Sequence, residues 1–199
     1  FDYIFESARE KFEKALKSIS EEIRGIYVDA TKQNEGNESE EHLWMKWFLV
    51  KYLTQKLIED GQLSPKPNLL QIRDNIKTEE GIENELDRIR ADVKVGTEVY
   101  EVETLFSEEC DGKEARKKIT HTIEKYEEKN VEKINIVLDN LTFLRHFKEL
   151  RDIKHNYKGW QKKHRKEIEF YTLDIKNWCL MDINKVAEKL NEVTTAPIP

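Results

Sequence analysis

The run Arg88-Ile89-Arg90-Ala91-Asp92-Val93-Lys94-Val95-Gly96-Thr97-Glu98-Val99-Tyr100-Glu101-Val102-Glu103-Thr104 constrains this chain more than any other stretch. Two β-rich segments flank Gly96-Thr97, and Gly at the first central position of a two-residue loop suits a type II′ hairpin turn. Such a turn sets the register: Val95 opposes Glu98, Val93 opposes Tyr100, Asp92 opposes Glu101 and Arg90 opposes Glu103. Side chains alternate between the two faces of a strand. Ile89, Ala91, Val93, Val95, Tyr100 and Val102 are therefore expected on one face, and Arg90, Asp92, Lys94, Glu101 and Glu103 on the other. One face seeks a core and the other gathers acid.

Directly opposed residues have Cβ atoms roughly 4.5 to 5.5 Å apart, and like charges placed so are destabilising. Two carboxylates about 5 Å apart repel by roughly 3 kcal/mol at an effective dielectric near ~20, and by under ~1 kcal/mol in open water. An exposed hairpin tolerates that; a half-buried one needs a cation, a shared proton or a neighbouring Arg or Lys. Asp92 and Glu101, with Glu103 further along the same face, make an oxygen-rich site suited to a hard divalent cation such as Mg²⁺. The alternative is a solvated strand face with Arg90 and Lys94 as counter-ions.

Asp92 on one strand, followed on the next by Tyr100-Glu101-Val102-Glu103-Thr104, resembles the PD-(D/E)XK nuclease superfamily, which includes restriction enzymes and archaeal Holliday junction resolvases. Ala91 stands where the family's Pro would be and Glu103 where its Lys would be, a replacement also found in a few type II restriction enzymes. The resemblance implies an α/β fold with a restriction-endonuclease-like central mixed sheet flanked by helices. Its core runs helix, antiparallel strands, helix, strand. It also implies a divalent-metal-dependent deoxyribonuclease, in which Asp92, Glu101 and the backbone carbonyl of Val102 hold Mg²⁺ or Mn²⁺. Glu103 would then orient or deprotonate the attacking water, or take a second ion, and Lys94 on the same face would supply the missing positive charge. A 5′-phosphate product and a homodimer follow from the same resemblance.

The family's first helix often adds a metal-side Glu in a Gly-X-X-X-Glu setting. Here Gly36-Asn37-Glu38-Ser39-Glu40-Glu41-His42-Leu43 opens a helical pattern through residue 58, with Leu43, Trp44, Trp47, Phe48, Val50, Leu53 and Leu57 apolar. Glu40 precedes Leu43, Trp44 and Trp47 by three, four and seven residues, so its expected place is the buried stripe, with Glu41 as the substitute. Asn37 and Glu40 also have capping-box spacing, which gives Glu40 a purely structural alternative.

Downstream, residues 112–129 form a helix pattern with Ala115, Ile119, Ile123 and Tyr126 on one side, and residues 133–139 a mostly apolar strand. Asn140 is placed to cap a helix beginning near Leu141. The strand at 133 is expected to run parallel to that at 98 through the crossover helix. Outside this central part lie an amphipathic helix at about 3–24, a strand-like stretch at 25–30, a strand at 167–173 and a helix at 182–193. Residues 61–87 form the longest candidate loop, with a possible short helix at 69–75.

At 199 residues the chain predicts one domain, its nuclease-like core at about 36–175. It is 38% hydrophobic and 37% charged, low in apolar content yet patterned throughout, so it reads as globular. No run is long enough for a transmembrane helix, and no signal peptide is visible. Cys110 and Cys179 stand apart from any metal-binding Cys/His pattern, and free thiols in a reducing cytosol are expected, with one distant pair as the alternative. The composition is similar to that of archaeal and archaeal-virus nucleases, and the expected location is cytoplasmic.

Net charge is −6, which excludes a generic nucleic-acid coat. Locally the balance inverts: Lys154, Lys158, Lys162, Lys163, Arg165 and Lys166 occur without an acid, interleaved with Tyr157 and Trp160. Lys158, Lys162, Lys163, Arg165 and Lys166 are candidates for phosphate contacts, and Trp160 for packing beneath them or stacking on a base. The alternative is a solvated connector. There is no Gly-rich phosphate loop, no Gly-X-Ser-X-Gly and no His-Glu-X-X-His, and the five histidines are scattered, each expected at the surface or in packing. A non-catalytic DNA-binding or assembly protein that retains the nuclease fold is the rival reading.

Overall fold

The computed structural model describes residues 2–23, 25–31, 38–82, 89–105 and 111–195. Helices α1 (Asp2–Glu22), α2 (Ile26–Ala30), α3 (Glu40–Glu59) and α4 (Leu69–Asn75) precede strands β1 (Lys77–Gly81), β2 (Arg90–Val95) and β3 (Glu98–Glu103). Next come α5 (Gly112–Glu124), β4 (Lys133–Leu138), α6 (Asn140–Arg145), α7 (Phe147–Asn156) and α8 (Lys158–His164). Strands β5 (Glu167–Asp174) and β6 (Cys179–Asp182) and helix α9 (Ile183–Thr195) close the chain.

The strands form one mixed sheet in the order β1-β2-β3-β4-β5-β6. The β1/β2, β2/β3 and β5/β6 pairs are antiparallel, and the β3/β4 and β4/β5 pairs are parallel. The parallel pairing of Glu98 with Lys133 through Glu103 with Leu138 is the crossover expected from the sequence, with α5 as its helix. Helices cover both faces. Phe48, Leu49 and Leu53 of α3 pack with Val93, Tyr100, Val102 and Val137 on one side. Ile119 and Ile123 of α5 pack with Val99, Ile134, Ile136 and Phe170 on the other. Burial on both faces is why β4 reads as a continuous apolar run instead of an alternation.

The hairpin keeps the expected register at Val95↔Glu98, Lys94↔Val99 and Val93↔Tyr100. Gly96 takes φ 57, and no positive φ falls on Thr97, as a type II′ turn requires. Beyond Val93 the ladder changes character: the Asp92 carboxylate, not β2 backbone, accepts the Val102 N–H at 2.7 Å. Opposite it on β1, Glu79 takes φ 51. Ala91 consequently packs into the α5-side core while Val93 stays in the α3-side core, so the single apolar face expected for both is divided. The expected charged face is not open either. Val99 and Glu101 are buried there beneath α5.

Three local expectations are corrected. Residues 26–30 are helical, because Ile26, Tyr27 and Val28 pack against the α3-side core, where tertiary contact outweighs their β preference. The stretch 61–87 holds α4 at its expected place and also β1, which pairs with β2 although Lys-Thr-Glu-Glu-Gly carries no apolar alternation. Asp139, not Asn140, caps α6, accepting from the Leu141 and Thr142 N–H groups at 2.9 Å each, while the Asn140 carbonyl accepts from Thr172. No helix among the described residues is long and apolar enough to cross a membrane. Cys179 is a free thiol, and Cys110 lies outside the described residues.

Candidate active site

Helix α3 is capped by Ser39, whose hydroxyl accepts from His42 N–H at 3.2 Å, and the capping-box partner Asn37 lies outside the described residues. That start points the stripe Glu38, His42, Lys46, Leu49 and Leu53 at the sheet; the spacing of three to four residues keeps it on one side of the helix. Glu40 belongs with Trp44 and Trp47, at the outer margin of the buried face, and is exposed on the first turn. The helix acid that reaches the strand carboxylates is therefore Glu38, where the sequence favours Glu40.

Lys46 is fully buried, and its Nζ donates to Glu38 Oε1 and to Glu79 Oε1, both at 2.6 Å. His42 Nε2 stands 3.2 Å from Asp92 Oδ2, and its Nδ1 3.4 Å from Glu38 Oε1. Burial pulls the His42 pKa down, but the hydrogen bond and charge of Asp92 outweigh it, and the net shift is upward. Asp92 shows the converse: burial would raise it, yet His42 and the Val102 N–H hold its carboxyl below the usual range.

Helix α5 approaches from the other face. Its end places Thr122, Lys125 and Tyr126 on one side by three- and four-residue spacing. Lys125 Nζ donates to Glu101 Oε2 at 2.7 Å, the Tyr126 hydroxyl donates to Glu101 Oε1, and Thr122 Oγ1 donates to Glu103 Oε1 at 2.5 Å. Burial, reinforced by the Asp92 charge, pushes the Glu101 carboxyl up to about 8 despite Lys125 and Tyr126. Burial also raises Glu103 against its Thr122 hydrogen bond.

The structure thus brings Asp92, Glu101 and Glu103 together, and adds Glu38, His42, Lys46, Glu79, Thr122, Lys125 and Tyr126, all missed from the sequence. The Glu38/His42/Lys46 and Thr122/Lys125/Tyr126 spacings were legible as helix faces; nothing in the sequence marks Glu79, because β1 itself was hidden. Lys94 does not join the carboxylates, since its Nζ donates to the Ile82 carbonyl at 2.6 Å, and the cation on Glu101 comes from α5. Tyr126 is core, as expected, and its hydroxyl is also a site donor. Glu41 lies apart from Asp92: burial, then the charges of Asp139 and Glu13, raise its carboxyl to about 8 against the opposing charge of Arg9.

The donor set suits a hard divalent cation in its chemistry, being carboxylate oxygens on adjacent strands. Among the described residues no three His, Cys, Asp or Glu side chains converge on one metal position. Lys125 and Tyr126 together hold both oxygens of Glu101, so an ion gains Glu101 only as Lys125 gives way.

The basic segment is α8 and its flanks, set against the last turn of α5, where the Tyr157 hydroxyl donates to Glu124 at 2.7 Å. Lys158, Lys162, Lys163 and Arg165 are exposed, with Lys163 3.9 Å from Glu127. Trp160 is half-buried and packs on Tyr157 and His164 with ring centroids 5.8 and 4.8 Å away. Lys166 leaves the set: it is buried, and its Nζ donates to the Lys129 and Val131 carbonyls at 2.6 and 2.7 Å. No known protein family, curated protein or solved structure matches the chain.

Proposed function

We propose that this protein is a divalent-metal-dependent DNA nuclease with a restriction-endonuclease-like core. The observation that carries the reading is the pair of carboxyls on adjacent strands driven apart electrostatically, Asp92 held ionised and Glu101 raised to about 8 in one buried polar cluster. Such a cluster costs stability unless it does chemistry. His42 and the Val102 N–H fix the Asp92 carboxylate, while Tyr126 and Lys125 fix Glu101. Asp92, Glu101 and the Val102 carbonyl would hold Mg²⁺ or Mn²⁺, which when bound activates a water and stabilises charge on the phosphoryl group. Lys125, released from Glu101, supplies the positive charge that the family's Lys would have given, and Glu103, steadied by Thr122, orients the water. Lys158, Lys162, Lys163 and Arg165 contact phosphates one helical turn away, and the product carries a 5′-phosphate. A homodimer cuts both strands.

A non-catalytic DNA-binding or assembly protein is the second reading, favoured by one observation: Lys46, Lys125 and His42 already neutralise the carboxylates in place. A cleavage panel over duplex, single-stranded and branched DNA with Mg²⁺, Mn²⁺ and EDTA separates the two. Divalent-dependent products that disappear in Asp92→Asn support the nuclease; no cleavage of any substrate leaves the second reading.

A further inference from the structure

A cavity of about 440 Å³ opens beside the Gly96-Thr97 turn, between that hairpin and the ends of α3 and α4. Its volume lies within the ~300–1,000 Å³ usual for small-molecule sites. Leu53, Leu57, Val95 and the Tyr100 ring supply apolar wall. Around them stand three carboxylates, Asp60, Asp74 and Glu98, against a single cation, Lys56.

Two independent features make this cavity selective for positive charge. Among the described residues none of the three carboxylates is paired with a Lys, Arg or His, in contrast to Glu38, Glu79, Asp92 and Glu101, each of which has a cationic neighbour. Glu98 has only the Tyr100 hydroxyl, which donates to its Oε2 at 3.0 Å. In addition, Lys56, Leu57 and Asp60 belong to the end of the 20-residue α3, and Asp74 and Asn75 to the end of α4, so both helices direct their carbonyl ends toward the cavity. A helix C-terminus carries partial negative charge and favours a cation. Nucleotides and other phosphates are disfavoured by the same field.

We propose that this cavity binds an aliphatic di- or triamine. Its methylene stem lies on Leu53, Leu57, Val95 and the Tyr100 ring, and its ammonium groups lie among Asp60, Asp74 and Glu98. The methylenes account for the apolar wall, and two or more ammonium groups for three unpaired acids. A bare metal ion uses only the second, and a monoamine leaves two acids uncompensated.

Calorimetric titration of the full chain with putrescine and with spermidine, at low and at raised salt, tests this. One saturable site per chain is expected, weaker at raised salt. Glu98→Gln combined with Asp74→Asn is expected to weaken it by about tenfold or more, since two exposed ion pairs contribute on the order of 1 kcal/mol each. Asp92→Asn, at the strand-end carboxylate cluster, is expected to bind the amine as wild type does. Circular dichroism checks that each variant folds; if the double variant does not, Asp60→Asn at the exposed end of α3 is read for the same loss. Absence of saturable binding by wild type overturns the proposal. So do undiminished binding by the folded variants and loss of binding in Asp92→Asn.

Discussion

At the scale of single residues, the protonation of Glu101 governs what its removal does. With its carboxyl raised to about 8 by burial and by Asp92, it is largely neutral at pH near 7, and Gln is close to isosteric with that form. Glu101→Gln is therefore expected to move the metal-free unfolding temperature by no more than about 1–2 °C while divalent-dependent cleavage falls to background. Asp92→Asn loses cleavage equally but also weakens its contact with His42, so a modest drop in Tm is expected. Scanning calorimetry in EDTA beside single-turnover cleavage checks both, and either variant cutting at the wild-type rate removes its residue from the mechanism. Glu41 gives a pH signature. Its folded pKa of about 8, raised by burial and then by Asp139 and Glu13, exceeds its unfolded value of 4.5, so the folded state holds the proton more tightly. That stabilisation is complete below the unfolded value and is lost as pH rises through about 8. Glu41→Gln, neutral throughout, is expected to lose less stability than wild type between pH ~5 and ~8.5, measured by urea midpoints. Parallel curves for the two proteins would contradict the assignment.

At the scale of elements, the last turn of α5 decides whether Lys125 competes with a metal or only closes an ion pair. Lys125→Met vacates Glu101 Oε2, so Ca²⁺ binding measured by calorimetry is expected to hold or tighten while cleavage drops by about a hundredfold or more. Unchanged cleavage would mean that Lys125 serves structure alone. The basic segment divides by burial. Lys162→Ala with Lys163→Ala is expected to reduce the slope of log affinity against log salt by roughly 1 for each phosphate left without its lysine, with little change in stability. Lys166→Ala is expected to do the reverse, costing about 1.5–3 kcal/mol because the Lys129 and Val131 carbonyls are deprived of their charged donor. A salt titration and a urea melt distinguish them; a flattened slope in Lys166→Ala would return that residue to the DNA path.

At the scale of the whole molecule, β4 supplies both cores, Val137 to the α3 side and Ile136 to the α5 side, each fully buried. The two cores are therefore expected to melt together. Leu49→Ala on one face and Ile136→Ala on the other should each cost about 2–5 kcal/mol and shift one common transition. Two separate transitions in either variant would show that the faces unfold independently. The carboxylate cluster lies between the two layers, drawing His42 and Lys46 from α3 and Lys125 from α5.

The sequence by itself determined the hairpin, its register next to Gly96, the helices at 40–59 and 112–124, and the parallel β3/β4 crossover, because turn chemistry and apolar periodicity act over a few residues. It also located Asp92, Glu101 and Glu103 as acids on adjoining strands. Only the tertiary structure decided which cations neutralise them. Lys94 is a near neighbour in sequence but donates to the Ile82 carbonyl, whereas Lys46 and Lys125 arrive from helices on opposite faces of the sheet. Likewise β1 exists because β2 offers its backbone edge, not through any pattern of its own, and residues 26–30 are helical because the α3-side core receives them in that form. Periodicity fixes which way a side chain faces; what it meets there depends on how far the facing helix advances along the sheet, a long-range quantity that no local spacing encodes.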